Sequence, residues 1–186
     1  TSMQAHGGKA REAGGTGIRI NAPGGAYHAA VDLVEWSRID GFEVTMTQTN
    51  NSYHAGGVQV WGNGTICENI VHAVRNNGTN NKQARGIVVI YDGCKIYNNV
   101  VYDIYSKGAD LGCGIRIYGS NSGNQGYICN NTVCGCDADT YANNGCFWAA
   151  SANETANYIV RNNYAGDVRG GANKKDFWFN NGDPED

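Results

Sequence analysis

Long apolar runs are missing from these 186 residues. None approaches the roughly 18 residues that a membrane-crossing helix needs, so no membrane span is expected. A surplus of positive charge is missing too: 14 Lys and Arg stand against 17 Asp and Glu, a net charge of −3. That balance speaks against a nucleic-acid binder, whose affinity comes from neutralising phosphates. Proline is scarce, at 2 residues, so turns must come from other chemistry. The opening Thr1-Ser2-Met3-Gln4-Ala5-His6 has no charged segment followed by an apolar one, so no signal peptide is expected within this chain. What is abundant is Gly, at 27 residues, and Asn, at 24. Hydrophobic residues make up 41%, enough for a true core and too many for a disordered tail. The length suits a single domain, 1–186.

The organising feature is a repeat. A β-branched residue, two variable positions, a residue that is usually Asn, and a short apolar strand recur five times. The copies are Ile39-Asp40-Gly41-Phe42-Glu43-Val44, Ile66-Cys67-Glu68-Asn69-Ile70-Val71, Ile96-Tyr97-Asn98-Asn99-Val100-Val101, Ile128-Cys129-Asn130-Asn131-Thr132-Val133 and Val160-Arg161-Asn162-Asn163-Tyr164-Ala165. Their fourth positions are spaced by 27, 30, 32 and 32 residues. A second strand recurs in step, beginning at 31, 58, 87, 115 and 146 and rich in Val and Ile. Three short β segments per repeat leave little room for a helix. The closure that satisfies their backbones is a coil of parallel strands about 4.8 Å apart. Within it Asn69, Asn99, Asn131 and Asn163 are expected to stack at one corner, each amide bonding its neighbours. The stretches 76–81 and 119–126 are turn-forming and tolerate insertion.

Repeats of the form Gly114-Ile115-Arg116-Ile117-Tyr118 through Ile128-Cys129-Asn130-Asn131-Thr132-Val133 resemble those of right-handed parallel β-helices of the pectate-lyase-like type. The likeness is clearest over 31–168. Residues 1–30 read as an irregular start holding a partial early rung around Gly17-Ile18-Arg19-Ile20, and 169–186 as a tail covering the end. The expected fold is all-β: a single-stranded solenoid of five to six rungs of 27–32 residues. The resemblance implies that the strands from 31, 58, 87, 115 and 146 form a first sheet. The strand before each Asn then lies in a second sheet and the strand after it in a third. It also implies a substrate groove along the first sheet, walled by the turns 47–57, 75–86, 106–114 and 137–145. The fold itself hosts lyases, hydrolases, adhesins and viral spikes, so function must come from the site.

Strict alternation puts Val58, Val60, Ile115 and Ile117 inward. One outward stripe is then Asp32, Gln59, Val88, Arg116 and Phe147; a second is Val34, Trp61, Ile90, Tyr118 and Ala149. Gln59, Trp61, Arg116 and Tyr118 are the expected carbohydrate contacts, rings stacking on the aromatics and hydroxyls or carboxylates bonding to the polar pair. Catalysis would need a base beside a uronate and a cation for the enolate, or two carboxylates about 6.5–9.5 Å apart. Arg116, Lys107, Asp92 and Asp110 are the candidates. The acids nearest Arg116 in register, Asp32 and Glu35, lie two to three rungs away, about 10–14 Å. Asp137 and Asp139 are candidates for holding Ca²⁺; no other cofactor is indicated, and His54 and His72 look isolated. Seven cysteines leave at least one unpaired, with Cys113 and Cys146 as candidates for pairing across adjacent rungs.

The reading is an extracellular or virion-type surface module for carbohydrate recognition or display, with a polysaccharide or glycan as partner. The alternatives are a polysaccharide lyase or glycoside hydrolase, perhaps a fragment of one, and a purely structural subunit of a filament or virion. An exposed end of such a coil is a sheet edge, so neighbouring subunits or further chain are expected to cover it.

Overall fold

The computed structural model describes residues 19–23, 29–49, 52–79, 82–107, 111–118, 123–139, 143–149, 157–170 and 173–179. Every regular element among them is a strand, and every pairing is parallel. Among the described residues no helix is long and apolar enough to cross a membrane.

The first sheet holds β2 (Val31–Leu33), β5 (Ala55–Trp61), β8 (Ala84–Ile90), β11 (Gly112–Tyr118), β14 (Asn143–Ala149) and β17 (Asn173–Phe179). The second holds β3 (Arg38–Asp40), β6 (Thr65–Cys67), β9 (Lys95–Tyr97), β12 (Gly126–Cys129) and β15 (Tyr158–Arg161). The third holds β1 (Arg19–Pro23), β4 (Glu43–Gln48), β7 (Ile70–Asn76), β10 (Val100–Ser106), β13 (Thr132–Ala138) and β16 (Tyr164–Gly166). The chain visits the sheets in that cyclic order, so each strand pairs with its counterpart one repeat away. This is a parallel β-helix. Counted corner to corner from Phe42 to Asn163, the coil makes about four turns rather than five to six rungs. The difference lies at the ends, where β1 and β17 are each a single strand of an incomplete turn.

The interior is built from stacked columns. Ile39, Ile66, Ile96 and Ile128 run up the second sheet in register, the last three fully buried. Burying such a side chain is worth about 1.5–3 kcal/mol, and the column repeats that gain at every turn. Phe147 stacks on Phe177 with ring centroids 4.8 Å apart, carrying the core from β14 to β17.

The corner between the second and third sheets carries the asparagines. The side-chain oxygen of Asn99 accepts from the backbone N–H and the amide of Asn69, that of Asn131 from those of Asn99, and that of Asn163 from those of Asn131. Each amide nitrogen also donates to a carbonyl of the preceding turn, Asn99 to Ile66 and Asn163 to Ile128 among them. The residue before each corner position has a positive φ: Gly41, Glu68, Asn98, Asn130 and Asn162. The recurrent Asn-Asn thus has two roles, the first residue accepting the left-handed backbone and the second filling the ladder.

Candidate functional site

The outer face of the first sheet is where the groove was expected, and its register decides what it displays. Asp32, Gln59, Val88, Arg116 and Trp148 are consecutive partners in one column. Trp61, Ile90 and Tyr118 are partners in the next outward one. Phe147 and Ala149, read as outward from the sequence, are fully buried in the core, because Ile115 pairs with Phe147 and Ile117 with Ala149. The repeat at β14 is one residue longer than the spacing used, and a one-residue slip in a strand reverses every side chain.

Two polar networks occupy this face. In the first, Asp32 accepts from the Trp61 indole at 2.8 Å and from the Gln59 amide at 3.2 Å. Trp61 also packs on Tyr91, centroids 5.7 Å apart. In the second, the Arg116 guanidinium lies over the Tyr118 ring, 3.9 Å from its centroid, and donates to the carbonyls of Ile117 and Trp148. Arg85 reaches the same ring from 5.9 Å and donates to the Tyr118 hydroxyl at 3.2 Å. Both arginines are 5% exposed. The Nε of Arg85 is buried with no hydrogen-bond partner among the described residues. A buried cation held by a hydroxyl and a ring face, with no carboxylate among the described residues, is costly unless an anion completes it.

Beyond the strand ends, on the turn into the second sheet, aromatic side chains face solvent. Trp36 is 78% exposed and Tyr91 47%. Both have a positive φ, 64° and 69°, a conformation that bulky side chains rarely adopt. At Tyr91 the turn is held by its neighbours: Asn63 N–H donates to the Asp92 carbonyl, and the Tyr158 hydroxyl donates to the Tyr91 carbonyl at 2.6 Å. Neither Trp36 nor Arg85 stands out in the sequence, since neither falls in a column of like residues.

The catalytic candidates are not gathered together. Asp92 is buried on the turn after β8, where its carboxylate accepts from the Asn157 amide. Lys107 follows β10, on the turn from the third sheet back to the first. The two therefore flank opposite ends of the first sheet's strands, about 20 Å apart at the rise of a seven-residue strand. Asp110 lies outside the described residues. Asp139 is exposed and accepts from the Tyr105 hydroxyl; Asp137 is half-buried. Among the described residues no three His, Cys, Asp or Glu side chains converge as a metal-binding group. His72 is not isolated: on the third sheet its Nε2 is 2.8 Å from Glu43 Oε1, and its ring stacks on Tyr102. His54 Nδ1 accepts from the Gln83 backbone N–H.

No protein-family model matches the chain, and no curated protein and no solved structure matches it.

Proposed function

We propose that this chain is a carbohydrate-recognition module on a pectate-lyase-like β-helix, displayed on an extracellular or virion-type surface. The observation that carries the reading is the aromatic strip at the edge of the first sheet. Trp36 and Tyr91 face solvent, Tyr91 touches Trp61, and Tyr118 stands two rungs from Trp61 in its column. Two rungs span about 9.6 Å, near the length of a disaccharide. Bulky aromatics kept exposed in a strained backbone conformation have a use other than packing. Gln59 is tied to Asp32 and Arg116 to backbone carbonyls, so both orient the surface around the rings. Arg85, beside Tyr118, favours a sugar bearing a carboxylate or sulfate.

A lyase or glycosidase would need a proton-transfer group beside Arg116, and the candidates Lys107 and Asp92 sit at opposite strand ends. The binding reading is therefore preferred. Ring stacking is worth about 1 kcal/mol per ring, so one module binds weakly and display of several copies supplies avidity.

The test is an array of neutral, uronate-containing and sulfated oligosaccharides, followed by titration of the best ligand against variants. Trp61→Ala and Tyr118→Ala should each weaken binding about fivefold while the fold persists. Trp36→Gly should weaken binding as well, yet raise stability by about 1 kcal/mol through relief of its left-handed backbone. An array blank for the wild-type protein presented multivalently sinks the proposal.

A further inference from the structure

On the outer face of the first sheet, positive charge is buried where the register supplies no negative charge to meet it. Arg85 lies between Gly56 on the preceding turn and Cys113 on the next. Arg116 lies between Val88 and Trp148. None of these four neighbours has a carboxylate. The acid in the Arg116 column is Asp32, three turns away, and its carboxylate already serves the Trp61 indole and the Gln59 amide. Cys113 packs with Leu111 and Trp148. Its register partner Gly145 puts Cys146 on the opposite face, in the core, so the Cys113–Cys146 pairing expected from spacing is not made.

The two arginines meet at one ring. The guanidinium carbon of Arg116 is 3.9 Å from the Tyr118 centroid and that of Arg85 5.9 Å. The ring quadrupole offsets only part of the repulsion between two cations so placed. Nη1 of Arg85 donates to the Tyr118 hydroxyl at 3.2 Å, and that hydroxyl reaches Gln83 Oε1 at 3.4 Å. One neutral oxygen thus stands where a carboxylate ordinarily would. It also fixes the guanidinium plane and leaves the Nε–Nη2 edge over. The Nε on that edge is buried with no hydrogen-bond partner among the described residues. Two parallel N–H groups on one edge match two oxygens of a carboxylate, sulfate or phosphate group.

We propose that Arg85 and Arg116 form an oxyanion-binding site beside Tyr118, in which the Nε–Nη2 edge of Arg85 takes two oxygens of the group. The oxyanion is either a free ion or a substituent on a sugar chain stacked on Trp61 and Tyr118; in the second case the site rests on the carbohydrate reading, and in the first it does not. Either source supplies the charge that the fold leaves unmatched, so occupation stabilises the native state.

The experiment follows the melting temperature of the full chain against inorganic sulfate and inorganic phosphate, each replacing chloride at constant ionic strength. A site-bound ion raises it with the logarithm of concentration, by about 4 °C between roughly 0.1 and 10 mM; the general stabilisation by excluded salts needs far higher concentrations. Arg85→Met and Arg85→Gln keep a side chain in place, remove the charge and should both lose the rise. Lys95→Met, an equal change of charge on the second sheet, should keep it. A second arm titrates a neutral oligosaccharide and its sulfated counterpart. A sulfated chain bound at least about tenfold more tightly by the wild type, with the preference lost in Arg85→Gln, places the oxyanion on the sugar. A rise with the bare ions and no such preference makes it a free ion, and a rise with no sugar bound at all keeps this site while removing the carbohydrate reading. Neutral and sulfated chains bound alike, with no rise from either ion, overturn this site and leave the carbohydrate reading standing. A rise undiminished in both Arg85 variants overturns it as well.

Discussion

At the residue scale the heaviest structural demand falls on Asn99. Its oxygen receives two donors from Asn69, and its amide reaches the carbonyls of Ile66 and Tyr97 and the oxygen of Asn131. Asn99 itself sits where water hardly reaches, at 1% exposed. Leucine has nearly the same size and none of the bonding capacity. Asn99→Leu should therefore cost about 1–3 kcal/mol through donors and acceptors left unpaired, read as a lower urea midpoint with an unchanged slope. An unaltered midpoint would mean that the ladder contributes nothing to stability. Asn163 is less enclosed than the other three, so the same substitution there should cost less.

At the scale of the turn, the position before the ladder shows how local backbone geometry selects sequence. Four of its five occupants are Gly41, Asn98, Asn130 and Asn162, residues that enter the left-handed region readily. The fifth is Glu68, at φ 59°, whose side chain makes no hydrogen bond or ion pair among the described residues to repay the strain. Glu68→Asn should stabilise the protein by about 0.5–1 kcal/mol, measured by the same urea titration; a loss would show that Glu68 makes a contact worth more than the backbone preference. A second left-handed column runs up the third sheet through Ala73, Asp103, Gly135 and Asp167. It begins at β7, where His72 and Ala73 together face the single residue Thr45 of β4. The extra residue sets the outward aim of His72 toward Glu43 and of Tyr102 beneath it.

At the scale of the whole molecule, a solenoid interior stores protons as well as apolar surface. Burial raises the Cys94 thiol and the Tyr158 phenol, and the contact with Cys146 together with burial raises Cys136. Each native group keeps its proton at a pH where the unfolded chain, titrating near 9 for thiols and 10 for tyrosine, has released it. Their contribution is therefore complete below about pH 9 and is lost as the pH climbs above it. Each group withdraws about 1.4 kcal/mol per pH unit across its own interval. Urea midpoints in reductant should be level from pH 7 to 8.5 and fall steeply by pH 10.5, and Tyr158→Phe should make the fall shallower. A midpoint that holds constant to pH 10.5 contradicts this account.

The sequence alone determined the architecture, because a parallel coil repeats its chemistry at a fixed interval: an isoleucine column, an asparagine corner and a strand on either side are all visible as spacing. It also determined that Trp61, Ile90 and Tyr118 share a column. Tertiary structure decided the rest. The faces of β14 depended on a single inserted residue, which sent Phe147 into the core and Trp148 out. The exposure of Trp36 depended on a left-handed turn that tryptophan does not signal. The setting of Arg85, which meets the Tyr118 hydroxyl and ring and pairs with no carboxylate among the described residues, depended on which side chains of the neighbouring turn reach it. Periodicity is a property of one dimension and survives in the sequence; contact between different columns is a property of three and does not.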